Sequence, residues 1–204
     1  EGIKEHVMET GASIISAQKS QETYQEPSLF TENSMLKESA VWDCVTCGAC
    51  MEECPVMVEH VDSIVDMRRY LVMEQASMPE GAEGVLLNME QRGHPWSGNQ
   101  TSKTEWMEGL DIPTFADENE AEVLLWVGCT SALNEANQKA PRAMASILRV
   151  ADIKFAVLGN EEGCTGDPAR RIGNEYLYQM MAEQNIQTLN QYSFKKIVTL
   201  CPHC

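Results

Sequence analysis

Eight cysteines in this chain of 204 residues fall into two groups, and the spacing of the first indicates metal chemistry. The first group is a tight run that ends on a proline: Cys44, Cys47, Cys50, Cys54 and Pro55. The Cys-x2-Cys-x2-Cys-x3-Cys-Pro spacing is that of iron–sulfur ligands. Two residues between successive cysteines let a loop wrap thiolates around one face of a 4Fe–4S cluster. Gly48 supplies the backbone freedom that this wrapping needs.

Zinc and disulfides are the alternatives for this run. Structural zinc takes its ligands in two separated pairs, whereas four cysteines within eleven residues crowd a tetrahedral site. Disulfides need an oxidising compartment, and the chain begins with no signal peptide. The spacing therefore favours iron–sulfur chemistry. Because the fourth cysteine of a two-cluster ferredoxin ligates the other cluster, Cys54 either completes the first cluster or serves one whose other ligands lie upstream.

The second group is dispersed along the chain and consists of Cys129, Cys164, Cys201 and Cys204. Apolar runs at 123–127, 155–158 and 197–200 predict three strands, and helices are predicted between them at 134–150 and 168–184. This alternation predicts a parallel sheet with right-handed crossovers. Each predicted strand is followed by one or two of the cysteines, so all four should meet at the carboxyl edge of the sheet, where they could enclose a second 4Fe–4S cluster.

The segment after Cys164 carries features that suit an anion. Asp167 is predicted to cap a helix whose first residue is Pro168, and the positive helix end would stabilise an anionic cluster. Arg170 and Arg171 fall in the first turn, where cations oppose the helix dipole. They are therefore assigned to a nearby anion, either the cluster or a substrate group. A salt bridge to the acidic pair at 161–162 is the alternative.

These motifs resemble those of the heterodisulfide-reductase-like iron–sulfur oxidoreductases, a family that includes the iron–sulfur subunit of glycolate oxidase. Its carboxyl-terminal module carries a cysteine, a Cys-Cys-Gly motif and a Cys-x2-Cys pair, separated by gaps of thirty-odd residues. Here 34 residues separate Cys129 from Cys164, and 34 separate Gly166 from Cys201. The chain departs from the family pattern at Thr165, which stands in place of the second cysteine. The non-cubane clusters of true heterodisulfide reductases resemble a five-cysteine arrangement, so four cysteines favour an ordinary cubane.

The resemblance also implies a role. The stretch from Glu162 to Arg171, running on to Tyr176, looks most like the branch linked to electron-transfer flavoprotein. That likeness implies two or more 4Fe–4S clusters that relay electrons from a flavoprotein towards a membrane quinone or membrane subunit. It places the protein in the cytoplasm, at the inner face of the membrane through regions outside this sequence. A subunit of a heterodisulfide or thiol–disulfide reductase is one alternative, and a zinc-stabilised interaction module is another.

The predicted fold class is α+β, in two domains. Residues 1–120 are predicted as a helical 4Fe–4S ferredoxin-like domain plus a connector, and residues 121–204 as a CCG-type α/β cysteine-rich domain, incomplete at its carboxyl end. Net charge supports the division, since it is −17 over 1–122 and +1 over 123–204. The absence of an initial Met and the cysteine pair at the end predict an excerpt of a longer protein. The further predicted segments are helices at 1–10, 35–42, 59–74 and 82–91, a loop at 11–31 and an irregular connector at 93–120.

Composition excludes several partners. The net charge of −16 argues against nucleic acid, whose phosphates would be repelled. The longest apolar stretch has five residues, far below the roughly 20 that a membrane-spanning helix needs.

His203 lies between two cysteines and is interpreted as a neighbour of the cluster or quinone, or else as a simple loop residue. The sequence His94-Pro95-Trp96 is interpreted as a packed turn.

Overall fold

The computed structural model describes residue 30 and residues 36–98 and 101–204. It divides the chain into two compact units, Glu1–Arg68 and Arg69–Cys204. The helix predicted at 1–10 and nearly all of the loop predicted at 11–31 lie outside the described residues. The domain boundary predicted at residue 120 stays a prediction.

The first unit is built around the cysteine run. Helices α1 (Glu38–Trp42) and α2 (Ala49–Glu52) flank the loop that carries Cys44 and Cys47, and α3 (His60–Met73) begins within this unit. The chain reverses inside the loop because Thr46 and Gly48 adopt left-handed backbone angles, with φ of 53° and 78°. The helix predicted at 59–74 is confirmed to within one residue at each end.

The second unit opens with the end of α3 and with helix α4 (Glu80–Arg92), which ends where Gly93 takes a left-handed C-cap. The connector predicted at 93–120 is partly ordered, because it contains a 3-10 turn (Glu105–Met107) and helix α5 (Phe115–Glu118). Trp106 and Phe115 bury themselves almost completely in the core. Single aromatic anchors have no periodicity, so the sequence pattern did not reveal them.

A parallel sheet of three strands forms the core of the second unit, in the order β2-β1-β3. The strands are β1 (Val123–Trp126), β2 (Phe155–Ala156) and β3 (Lys196–Thr199). Every residue of β1 is buried, as expected of a strand covered on both faces. The predicted α+β fold with a parallel sheet is therefore confirmed. In contrast to β1, β3 is an edge strand and is largely exposed.

Two crossovers connect the strands. The first contains α6 (Cys129–Leu133), a 3-10 turn (Glu135–Asn137) and α7 (Lys139–Val150). The second contains a 3-10 turn (Gly159–Glu161), α8 (Asp167–Ile172) and α9 (Glu175–Leu189).

The single helix predicted at 168–184 is wrong, because the structure has two helices there, α8 and α9. Gly173 ends α8 in a left-handed C-cap, and the side chain of Asn174 accepts a hydrogen bond from the backbone N–H of Leu177 to start α9. The predicted cap is also shifted by one residue, because Gly166 caps α8 and Asp167 is its first residue. In the described part of the chain, no helix is both long and apolar enough to cross a bilayer.

Candidate metal centres

Backbone N–H groups donate hydrogen bonds to two of the sulfurs in the cysteine loop, defined as residues 44–54. The N–H of Thr46 donates to the sulfur of Cys44 at 3.3 Å, and the N–H of Val58 donates to the sulfur of Cys54 at 3.3 Å. The pKa of Cys54 is lowered, first by the N–H of Val58 and then by that of Val56. Such N–H···S bonds favour the thiolate, which is the form that binds a metal.

Arg68 of α3 forms hydrogen bonds with the backbone at the start of the cysteine loop. Its buried guanidinium donates to the carbonyl oxygen of Val41 at 2.8 and 3.2 Å and also to the carbonyl oxygen of Cys44. The same group lies 5.2 Å from the centre of the Trp42 ring, within cation–π range. A residue of the next helix therefore anchors the first cysteine, and the sequence indicated only its place on an amphipathic helix.

The dispersed cysteines meet at the carboxyl edge of the sheet. Cys129 is the first residue of α6, Cys164 follows the second strand, and Cys201 comes two residues after the end of β3. The side chains of Cys129 and Cys164 are neighbours that share a hydrogen bond. The sulfur of Cys204 lies 3.3 Å from the position that a Cβ at residue 128 would occupy, beside the loop that leads into Cys129. We call Cys129, Cys164, Cys201 and Cys204 the sheet-edge cysteines.

The sheet-edge cysteines are electrostatically coupled. The hydrogen bond from Cys164 lowers the pKa of Cys129 to about 6, and bonds from Trp96 and Thr130 act in the same direction. The shared proton and burial raise the pKa of Cys164. Burial and the neighbouring Cys201 raise the pKa of Cys204 to about 12. Negative charge on one of these neighbouring thiols disfavours it on the next, and a bound metal cluster would supply the compensating positive charge.

Glu162 contacts the backbone immediately before Cys129, the first of the sheet-edge cysteines. Its carboxylate is buried and accepts the backbone N–H of Val127 at 3.0 Å and that of Gly128 at 2.5 Å. Burial raises the pKa of Glu162 to about 7, against the lowering effect of these two hydrogen bonds. This role was not predicted, because the only distinctive feature of Glu162 in the sequence is its position two residues before Cys164.

The turn containing His94 and Trp96 also borders the sheet-edge cysteines. His94 is buried, lines a small cavity together with Cys129 and Cys164, and has no hydrogen-bond partner at Nδ1 among the described residues. Burial, followed by the nearby cations Arg92 and Lys103, lowers its pKa. The predicted packing therefore holds for His94, whereas Trp96 is exposed. The contact of this turn with the cysteines was missed, because more than thirty residues separate it from Cys129 in the sequence.

The other predicted site residues have local partners. Arg171 forms a salt bridge with Asp167 at 2.9 Å, and Arg170 lies 5.4 Å from the centre of the Tyr178 ring. The acidic pair proposed as their alternative partner is engaged elsewhere, since Glu161 accepts a hydrogen bond from Tyr192. His203 places Nδ1 at 3.9 Å from the sulfur of Cys201.

The donor set of both groups suits an iron–sulfur cluster better than a hard cation, because every candidate ligand is a thiol. In the first group the backbone donates hydrogen bonds to the sulfurs of Cys44 and Cys54. In the second group each cysteine follows the carboxyl end of a strand, and the sulfur of Cys204 lies beside Gly128, the residue before Cys129. Within residues 36–98 and 101–204, no group of three or more Cys, His, Asp or Glu side chains is arranged to hold a single metal ion.

Comparisons with known proteins agree on a family. Residues 123–204 match the CCG cysteine-rich domain. A probable membrane-anchored ferredoxin of Chromohalobacter salexigens is 45% identical over 170 residues, which cover 83% of this chain and 25% of that protein. The EtfAB:quinone oxidoreductase of Syntrophomonas wolfei is 37% identical over 203 residues, covering 95% of this chain and 28% of that protein.

A third relative is the probable iron-sulfur-binding oxidoreductase FadF of Bacillus subtilis. It is 39% identical over 184 residues, which cover 87% of this chain and 26% of that protein. The chain thus spans about a quarter of the length of these curated relatives. No solved structure matches it significantly.

Proposed function

The chain belongs to the iron–sulfur oxidoreductases that carry a CCG cysteine-rich domain, and we propose that it relays electrons from a flavoprotein to a membrane quinone. The proposal is supported by the positions of four cysteines, which follow the carboxyl ends of three neighbouring parallel strands. The EtfAB:quinone oxidoreductase among the relatives supports the choice of donor and acceptor.

The two cysteine groups are proposed to take part in holding two or more 4Fe–4S clusters in total. The first set of ligands is Cys44, Cys47, Cys50 and Cys54, and the second is Cys129, Cys164, Cys201 and Cys204. A bound cluster supplies a carrier that accepts and releases one electron at a time. The division into a ferredoxin-like part (1–120) and a cysteine-rich domain (121–204) is proposed on the same basis.

The chain's own residues have defined tasks in this proposal. The N–H groups of Thr46 and Val58 donate hydrogen bonds to the sulfurs of Cys44 and Cys54 and thereby orient these ligands. Trp96 and Thr130 do the same for Cys129. Arg170, Arg171 and His203 are proposed to lie near the second cluster, where their positive or polar groups would favour added negative charge. Attachment to the inner face of the membrane is proposed to come from regions outside this sequence, in keeping with the membrane-anchored ferredoxin.

Metal content tests the first half of the proposal. Protein purified without oxygen should contain about eight iron atoms per chain with matching sulfide, and reduction should produce two EPR signals. Cys44→Ser and Cys164→Ser should each remove a different signal. Fewer than about four iron atoms, with zinc in their place, would overturn the proposal in favour of a zinc-stabilised module.

Electron delivery tests the second half. Reduced electron-transfer flavoprotein should be reoxidised when it is mixed with the full-length protein and a water-soluble quinone, and Cys164→Ser should abolish the reaction. Reduction of a disulfide substrate, with no reduction of the quinone, would instead identify a thiol–disulfide reductase. The Cys164→Ser variant controls for direct transfer from flavin to quinone.

A further inference from the structure

The end of β1 has two backbone donors that the sheet cannot satisfy. Strand β2 pairs only with Val123 and Leu124, and β3 pairs with β1 only as far as Trp126. The N–H groups of Val127 and Gly128 therefore lie beyond the ladder, in a buried position. Because an unpaired buried N–H is strongly unfavourable, this loop needs an acceptor from another part of the chain.

Glu162 supplies that acceptor from the neighbouring loop. One carboxylate oxygen accepts the N–H of Val127 at 3.0 Å and the other accepts the N–H of Gly128 at 2.5 Å. The carboxylate thus spans two successive peptide groups immediately before Cys129. We propose that Glu162 is a positioning residue that joins the Cys129 loop to the Cys164 loop and so sets the spacing of the sheet-edge ligands.

The loop that carries Glu162 is itself held from two sides. Lys103 donates through Nζ to the carbonyl oxygen of Glu162 at 2.6 Å and to that of Asn160 at 3.4 Å. From the other side, Asn185 of α9 donates to the carbonyl oxygen of Cys164 at 2.8 Å. A Cβ at Gly163 would lie 2.7 Å from the Asn185 side-chain oxygen, so the backbone approaches α9 closely here. Glu162 can therefore position Cys129 because its own backbone is fixed.

A carboxylate is required for this task and an amide is not equivalent. A carboxylate offers two acceptor oxygens, one for each N–H group. Glutamine at the same position offers one oxygen and an NH2 group that would point its hydrogens at the second N–H. Glu162→Gln therefore keeps the shape of the side chain and removes one of the two hydrogen bonds, which separates the bonding role from packing.

Hydrogen exchange in the metal-free protein tests the contact without relying on a cluster. In Glu162→Gln, the amides in the peptide covering residues 123–131 should exchange about tenfold faster than in the unmodified protein. Glu161→Gln is the matched control, since it makes the same change one residue away at an exposed carboxylate, and the glutamine oxygen can still accept the hydrogen bond from Tyr192. Unchanged exchange in Glu162→Gln would overturn the proposal, as would equal acceleration in both variants.

Protection of α9 shows whether the variant is folded. If Glu162→Gln loses protection across residues 175–189 as well, Lys103→Met decides instead, because it loosens the same loop while leaving the carboxylate in place. It should accelerate exchange in residues 123–131 by a smaller factor, and no acceleration there would again overturn the proposal.

The consequence for the ligands rests on the proposed function, and EPR of the reduced holoprotein measures it. Glu162→Gln should shift the signal that Cys164→Ser removes, and should leave the signal that Cys44→Ser removes unchanged. An unshifted signal would refute a role in positioning ligands, even if exchange is faster. If the unmodified protein gives no signal from this site, the proposed second cluster fails, while the exchange result still decides the contact between the two loops.

Discussion

Replacing Gly128 with alanine should destabilise the sheet-edge site through the backbone and through Cys204 together. Gly128 has φ of 80° and ψ of 148°, in a region that is almost restricted to glycine, where a side chain costs about 1–3 kcal/mol. The new Cβ would lie 3.3 Å from the sulfur of Cys204 and 3.8 Å from the Cβ of Cys201. The contact with Cys204 is tighter than a usual carbon–sulfur contact, so the sulfur must move by a few tenths of an ångström.

The assay is urea unfolding of the metal-free protein, followed by iron content after reconstitution. Gly128→Ala should lower the free energy of unfolding by about 1–3 kcal/mol and reduce the iron retained. Gly84→Ala is the control, because Gly84 lies inside α4 with nothing within 4 Å of a new Cβ, and alanine should stabilise the helix by about 0.5–1 kcal/mol. If Gly128→Ala is as stable as the unmodified protein and binds the same iron, the geometry described for this loop is wrong.

Three further perturbations test other parts of the structure. Arg68→Lys replaces the planar guanidinium, which bonds to two carbonyl oxygens, with a single ammonium group. The cysteine loop should therefore lose about 1–3 kcal/mol of stability and release iron faster to a chelator. An unchanged release rate would contradict the anchoring role. Thr165→Cys adds a thiol in a groove that Cys204 also lines, so the visible spectrum should change, whereas an identical spectrum would mean that position 165 does not face the metal. The pKa of His94 is lowered from 6.5, first by burial, so its contribution to stability is present above pH 6.5 and is lost as pH falls through the folded-state pKa. Unfolding experiments at pH 7.5 and 5.5 should show a smaller pH effect in His94→Gln than in the unmodified protein, and equal pH effects would exclude this role.

Much of the fold follows from patterns that act over a few residues. The apolar run at β1 predicted a buried central strand, and the alternation of strands with helices predicted the parallel sheet. The break at Gly173 was missed because glycine is compatible with a helix interior at modest cost, and only the left-handed angle shows that the helix ends there. Both β2 and β3 are edge strands, yet β2 is buried and β3 is exposed, so the exposure depends on what packs over each strand, which the strand's own sequence does not determine.

In the candidate site, too, some residues could be predicted from the sequence and others could not. The cysteines were found from spacing and from their positions after strands, because both are properties of the sequence and of parallel-sheet topology. Their supporting residues were not found. Glu162, His94 and Arg68 act through contacts that depend on where distant loops and helices come to rest, and acidic, histidine and arginine residues at these positions have no distinguishing pattern.

The two cysteine groups also differ in what must bring their sulfurs together. The cysteine loop spans eleven residues, so its closure entropy is small, and Cys47 and Cys50 are exposed. The sheet-edge cysteines span 76 residues, and three strands must pair before they become neighbours. The free energy of folding the sheet therefore positions the second group in advance, as the buried sulfur of Cys164 and its bond to Cys129 indicate. In the first group the loop has contacts of its own, since Arg68 bonds to its entry and backbone N–H groups bond to the sulfurs of Cys44 and Cys54. Binding of metal should thus be coupled to local structure in the first group and to global folding in the second.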